Sequence, residues 1–221
     1  ILAPKCGYEI LQTTCPEAMY LYGGEDFIKN FTVENDFTYG IGPGLGTDYE
    51  TEEKLMHFLK NYNEPLILDA DALNLISKNS ENLNLIPKNS IITPHPKEFS
   101  RLFGESKDSF ERLELAKSKA KELNIYIVLK GHHTQIITSE GNVFYNITGN
   151  SGLAKGGSGD VLLGIITSFL AQGYSPENAA IFGVWLHGKA ADFTAEKYSK
   201  EAMLASDVIQ HIGEVFKYLQ K

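Results

Sequence analysis

The sequence predicts an α/β fold whose central sheet is mostly parallel and covered by helices on both faces. Three observations carry this. Short apolar segments alternate with amphipathic helical ones up to about residue 147. Polar and glycine-rich motifs fall at the ends of those apolar segments, where open α/β sheets take their ligands. A glycine-dense run, Gly149 to Asp160, then feeds a strongly apolar helical stretch beginning Val161-Leu162-Leu163.

Taken in order, Leu2 to Gly7 reads as the end of a helix leading into a strand over Tyr8 to Thr13. Phe37 to Ile41 reads as the next strand. Leu55, Met56, Phe58 and Leu59 have helical spacing and predict a helix over Glu50 to Tyr62. Leu66-Ile67-Leu68 and Ile91-Ile92 are short apolar strands. Phe110 to Leu123 is a charged amphipathic helix whose lysines, Lys117, Lys119 and Lys121, form a solvated face. Ile125 to Leu129 is a strongly apolar strand. Thr134 to Ile147 alternates around Glu140-Gly141-Asn142 and predicts a hairpin. From Asp160 onward the pattern is helical in three segments, with Ser206-Asp207 capping the last. No repeat, linker or low-complexity tract interrupts the chain, so residues 1–221 are expected to form a single domain.

Composition narrows the function. The 221 residues carry a net charge of −8 and no basic cluster, so nucleic acid is not an expected partner. No apolar stretch reaches membrane-spanning length, and residues 1–7 do not read as a signal peptide. The two cysteines, Cys6 and Cys15, have neither zinc-site nor C-x-x-C spacing, which points to a reduced, cytoplasmic protein.

Five motifs carry the chemistry, each with a plain structural alternative. Gly40 to Gly46 (G-I-G-P-G-L-G) allows close backbone approach to a ligand, or forms only a tight strand-to-helix turn. In Leu68 to Asn74 (L-D-A-D-A-L-N), two acids at a strand end bind hydroxyls or organise a metal through water, or Asp71 caps a helix. In Thr93 to Glu98 (T-P-H-P-K-E), two prolines stiffen the turn that presents His95, and Glu98 falls early in a helix where the dipole suits an acid. In Lys130 to Thr134 (K-G-H-H-T), a strand-end lysine and a threonine suit phosphate, while the two histidines read equally as exposed loop residues. The run Gly149 to Asp160 ends at a helix N-terminus, an anion site by its free N–H groups and dipole. Asp160 there is either a helix cap or a base that takes a proton while the turn holds phosphoryl charge. By contrast, His187 reads as a packed, hydrogen-bonded core histidine and Trp185 as core.

This ordered set of motifs resembles the ADP/ATP-dependent NAD(P)HX dehydratases of the ribokinase-like superfamily, from about Cys6 to Phe216. The resemblance implies a three-layer ribokinase-like α/β/α fold. It implies phosphorylation of the ring hydroxyl of (S)-NADHX or (S)-NADPHX by ADP or ATP, then loss of phosphate to regenerate NADH or NADPH. Hydroxide leaves poorly and phosphate leaves well, so a kinase scaffold can drive a dehydration. By resemblance, Asp160 is the base, and the N–H groups of Gly157, Ser158 and Gly159 stabilise the phosphoryl group. Gly42, Gly44, Leu45, Gly46, His95 and, more weakly, Asp71 would contact the hydrated nucleotide. Lys130, Gly131, His132, His133, Thr134, Asn150, Lys155 and Gly159 would contact ADP or ATP. Glu98 would hold Mg2+ through water, and the chain would form a homo-oligomer as large as a tetramer.

T-P-H-P-K-E is the discriminating segment, since related vitamin kinases carry N-x-x-E where His95 stands. The family pattern G-N-P-G-M departs to Ser151 and Leu153 here, which loosens the loop but removes no functional group. The A-K-G-G-S-G-D form resembles bacterial, ADP-using members. The resemblance also sets an expectation that the family's leading β-α segment is missing ahead of Ile1. Two other readings stay open: a hydroxymethylpyrimidine- or hydroxyethylthiazole-type hydroxyl kinase, and a non-catalytic nucleotide-binding protein.

Overall fold

The computed structural model describes residues 1–29 and 36–220. In chain order the strands are β1 (Leu2–Ala3), β2 (Leu21–Tyr22), β3 (Gly40–Ile41), β4 (Ile67–Leu68), β5 (Ile91–Ile92), β6 (Tyr126–Leu129), β7 (Gln135–Ile137) and β8 (Val143–Tyr145). The α-helices are α1 (Tyr8–Thr14), α2 (Tyr49–Asn61), α3 (Ala70–Ile76), α4 (Pro96–Phe103), α5 (Ser109–Leu123), α6 (Ser158–Ala171), α7 (Pro176–Tyr198) and α8 (Ala205–Leu219). Six strands form one sheet in the order β3-β4-β5-β6-β7-β8. The pairs from β3 to β6 are parallel, and β6-β7 and β7-β8 are antiparallel. The last pair is the expected hairpin, with Gly141 turning it at φ 82°.

The period-2 geometry of the strands explains the layers. Ile67, Ile91 and Val128 point to one face with Leu162, Ile166 and Val208 of α6 and α8. Their neighbours Leu68, Ile92 and Ile127 point to the other, with Phe58, Leu73 and Phe99 of α2, α3 and α4. Both sets are buried, so each short parallel strand is apolar throughout rather than alternating. Among the described residues, no helix is long and apolar enough to cross a membrane.

The N-terminal expectations are reversed. Tyr8 to Thr13 is not a strand but lies in α1, and Leu2–Ala3 is a strand, paired in parallel with β2 in a separate two-stranded sheet. Its threonines bond back to the helix: Thr13 Oγ1 donates to the Glu9 carbonyl at 2.7 Å and Thr14 Oγ1 to that of Ile10 at 2.8 Å. The helix buries none of its residues, so no core pattern marks it in the sequence. The strand expected over Phe37 to Ile41 pairs as a strand only at Gly40 and Ile41. In the last helix the cap position is Leu204, not Ser206 or Asp207; both lie in the first turn, from which Asp207 accepts from the Leu204 N–H at 2.8 Å.

Candidate active site

Because β3 to β6 run parallel, the loops that follow them meet at one end of the sheet, and the N-terminus of α6 arrives at the same place. The turn after β3 lies directly on the start of the turn after β4. A β-carbon on Gly42 (φ 146°) would come within 1.8 Å of the Asp69 carbonyl oxygen, so only glycine fits there. The Gly46 N–H donates to Asp71 Oδ2 at 3.0 Å. Asp71 therefore ties the glycine turn to α3, while Asp69, not Asp71, occupies the cap position of that helix. The next residue, Ala70, holds φ 48°, a left-handed conformation that costs a non-glycine residue about 1 kcal/mol or more. It persists because its neighbour Asp69 is fixed from two sides.

The second of those sides is Lys130. Its Nζ meets Asp69 Oδ1 at 2.7 Å and lies 3.9 Å from Glu98 Oε2. Both carboxylates are buried, and the Lys130 N–H is anchored on the Pro94 carbonyl at 2.9 Å. A β-carbon at Gly159 would lie 3.3 Å from Asp69 Oδ2 and 3.4 Å from Lys130 Nζ. The first turn of α6, with its unpaired N–H groups, thus abuts the half-buried lysine. Gly157, at φ 87°, makes the left-handed bend that delivers the chain into that helix.

The turn after β5 is closed on itself. His95 Nδ1 accepts from the N–H groups of Lys97 and Glu98 at 3.1 and 3.2 Å, and the His95 backbone N–H donates to Glu98 Oε2 at 2.8 Å. This is a capping box with histidine in the cap position and Pro96 opening α4. Since Nδ1 accepts, the ring proton of neutral His95 is on Nε2, 3.3 Å from Glu98 Oε1. The expected contact of His95 with a substrate therefore competes with bonds the ring already makes.

A cavity of about 730 Å³ opens on the β6 side. Lys130, Gly131, His132, His133, Thr134, Asn150, Lys155 and Gly159 all line it, as do His95, Gly157 and Ser158. Gly42, Gly44, Leu45, Gly46, Asp71, Glu98 and Asp160 do not line it. The helix periodicity of α6 explains the division. Leu162 lines the cavity, whereas Leu163 and Thr167 pack on Gly40 of β3. Asp160 is exposed in the first turn on the Leu163–Thr167 side of the helix, toward β3 and its glycine turn. The anion turn thus stands between the cavity and Asp160.

Some expected ligand contacts have structural roles in the fold. Asn150 Nδ2 donates to the Ala191 carbonyl and to Asp192 Oδ1 at 3.0 and 3.1 Å, and Oδ1 accepts from the Gly152 N–H. Lys155 Nζ donates to the Met203 carbonyl. Asp192, which also accepts from the Gly149 N–H at 3.0 Å, staples this loop to α7. Sequence reasoning missed it because it sits within an unbroken helical pattern, and missed Asp69 as the partner of Lys130. His187 corrects an expectation: it is buried, but its Nε2 has no hydrogen-bond partner among the described residues, and it lines the cavity. Burial, then the charge of Lys130, lowers its pKa to about 4.

No three His, Cys, Asp or Glu side chains among the described residues are grouped to hold a metal. Lys130 already stands between Asp69 and Glu98. The donor set would suit a magnesium ion carried by nucleotide phosphates and reached through water.

Comparison with known proteins agrees with this architecture. The bifunctional NAD(P)H-hydrate repair enzyme of Thermofilum pendens is 32% identical over all of this chain, and the ADP-dependent (S)-NAD(P)H-hydrate dehydratase of Neisseria meningitidis is 41% identical over 76% of it. The chain spans 42% and 59% of the lengths of these two relatives. The crystal structure of the ADP/ATP-dependent NAD(P)H-hydrate dehydratase of Bacillus subtilis co-crystallised with ATP/Mg2+ superposes with a TM-score of 0.82 at 33% identity, covering 97% of this chain and 76% of that one. A ribokinase-like superfamily protein of Enterococcus faecalis superposes at 0.78 with 30% identity, covering 98% and 75%. The expected ribokinase-like α/β/α fold is therefore the fold of this chain. Residues 2–214 match the family described as NAD(P)H-hydrate dehydratase, and on that match the chain belongs to the NAD(P)H-hydrate dehydratase family.

Proposed function

We propose that this chain repairs hydrated nicotinamide cofactors, using ADP, or ATP, to dehydrate (S)-NADHX and (S)-NADPHX. The observation that carries the reading is the placement of the α6 N-terminus. It abuts Lys130 and lines a nucleotide-sized cavity, while Asp160 lies on the opposite side of the helix, toward the glycine turn of β3. A phosphoryl donor on one side and a hydroxyl acceptor on the other would meet at Gly157–Gly159.

Asp160 takes the proton of the ring hydroxyl, and the oxygen attacks the terminal phosphoryl group. The bond to the leaving nucleotide oxygen breaks. The N–H groups of Gly157, Ser158 and Gly159 and the Lys130 ammonium hold the charge that develops on the phosphoryl oxygens. The ester carbon–oxygen bond then breaks with both electrons going to phosphate. The ring nitrogen lone pair assists, and a proton lost from the neighbouring ring carbon restores the double bond. Gly42 to Gly46, backed by Asp71, hold the hydrated nucleotide, with His95 at the boundary. Magnesium bound with the nucleotide would neutralise phosphate charge, and Glu98 would be the residue to hold it through water.

The test is turnover with purified NADHX, ADP and Mg2+. Recovery of NADH absorbance with one phosphate and one AMP released per NADH supports the reading. A stable phosphate ester without NADH makes the chain a small-molecule kinase. ADP binding without turnover removes the catalytic assignment.

A further inference from the structure

Asp69 occupies the cap position of α3, yet its carboxylate makes no cap hydrogen bond to that helix. An aspartate there ordinarily accepts from the first free N–H groups and stabilises the helix. Asp69 reaches instead past the end of β5, which lies between β4 and β6, to Lys130. Lys130 Nζ donates to Asp69 Oδ1 at 2.7 Å. Only 2% of the Asp69 side chain is exposed, against 22% for Lys130. Lys130 lines the cavity and Asp69 does not, so the carboxylate acts on anything bound there through the lysine.

Neither stability nor anion binding accounts for a carboxylate in this place. A buried ion pair contributes little net stability, because desolvation offsets the attraction. Asp69 Oδ2 lies 3.3 Å from where a β-carbon on Gly159 would stand, in the first turn of α6. A negative charge beside an anion-binding turn repels phosphate. What the pair does supply is position. A lysine ammonium sits at the end of a flexible four-carbon stem, and that of Lys130 is held 3.4 Å from the same β-carbon position. Glu98 does not provide this hold. It is 3.9 Å from Nζ, and its two oxygens face the His95 backbone N–H and ring Nε2 at 2.8 and 3.3 Å. Asp69 is itself fixed: its N–H donates to the Ile41 carbonyl at 3.0 Å, and its own carbonyl accepts from the Ala72 N–H at 3.1 Å.

We infer that Asp69 is a positioning residue for phosphoryl transfer, holding the Lys130 ammonium against the α6 N-terminus before the reaction begins. This rests on the dehydratase reading proposed above, with the nucleotide in the cavity. The carboxylate weakens phosphate binding in the ground state. The fixed ammonium favours the transfer step, where a donor must already be in place as charge develops. Losing the carboxylate therefore has two effects of opposite sign: phosphate binding is kept or strengthened, and turnover falls.

The test compares Asp69→Asn, Lys130→Met and the double variant with wild type, by NADHX turnover with ADP and Mg2+ and by calorimetric titration with pyrophosphate. Asp69→Asn is expected to lower kcat about ten- to hundredfold, with pyrophosphate bound within about twofold of wild type or more tightly. Lys130→Met should lower kcat at least as far and weaken pyrophosphate binding as well. In the double variant kcat should stay within about twofold of Lys130→Met, because a residue that acts through Lys130 then has nothing left to position. Unchanged kcat in Asp69→Asn overturns the inference. So does a double variant in which the two single effects multiply, since Asp69 would then act independently of Lys130. Parallel loss of kcat and pyrophosphate affinity in Asp69→Asn overturns it in favour of a purely structural pair. Absence of turnover in wild type removes the dehydratase reading itself, and this inference with it. Should Asp69→Asn alone not fold, the other two variants decide: equal kcat supports the inference, and a further fall in the double variant overturns it.

Discussion

The two sides of the α6 N-terminus are organised by different means. On the β3–β5 side, the polar groups hold one another: Asp71 holds Gly46, His95 and Glu98 close a capping box, and Asp69 holds Lys130. On the cavity side, the loop is stapled to α7 by Asn150 and Asp192, and two lining residues, Ser158 and His187, carry buried side-chain atoms with no hydrogen-bond partner among the described residues. The difference teaches that residue type alone does not make a ligand contact. A polar side chain at a strand end is more readily a brace for the turn, and a buried histidine in a helical run can lie against a cavity that no motif announced.

Four changes test that contrast. The largest effect is expected from Asp160→Asn, which should lower dehydratase turnover by about two to four orders of magnitude with ADP affinity nearly unchanged. Near-normal turnover would return Asp160 to a plain first-turn acid. Next, Lys130→Met leaves Asp69 buried without its partner and should cost about 3 to 5 kcal/mol of unfolding free energy in urea. Adding Asp69→Asn should recover part of this. A loss below about 1 kcal/mol would show that the pair does not brace the site.

The third test uses pH. The folded pKa of His187, about 4, lies below its ordinary value of 6.5, so the unfolded chain binds this proton more readily. Its contribution to stability is present above pH 6.5 and is lost as pH falls toward 4, by up to about 3 kcal/mol. His187→Leu should flatten the stability profile across that window. A profile identical to wild type would mean that His187 protonates freely in the folded state. The smallest effect is expected from His95→Ala, which removes a helix cap and should cost about 1 kcal/mol, with His95→Asn restoring most of it. If both variants keep wild-type stability and both lose NADHX affinity, the ring serves the ligand and not the turn.

Much of the fold was legible in the sequence because its signals are local. The two-residue strands β4 and β5 are apolar on both faces and bounded by turn residues, and Gly141 marks the hairpin. Helix α1 was not legible, since it buries nothing and its threonines bond back to their own helix. Every residue expected to contact the nucleotide lines one cavity, because short motifs at parallel strand ends inherit their proximity from the sheet. What the motifs could not reveal was the partner of each group. Asp69 and Lys130 are 61 residues apart, and Asn150 and Asp192 are 42 apart. Nothing local to any of them encodes the other.

The contact between Gly42 and Asp69 has a thermodynamic consequence. Asp69 touches the glycine turn through its carbonyl and Lys130 through its carboxylate, so a single residue links that turn to a lysine that lines the cavity. A ligand that repositions Asp69 from the glycine turn changes the free energy of the phosphate side. By linkage, if a ligand at the glycine turn changed the affinity for a nucleotide that draws on Lys130, the nucleotide would change affinity at the turn by the same factor. The order in which the two ligands arrive would then leave the total binding free energy unchanged, and whichever arrived second would show the altered affinity.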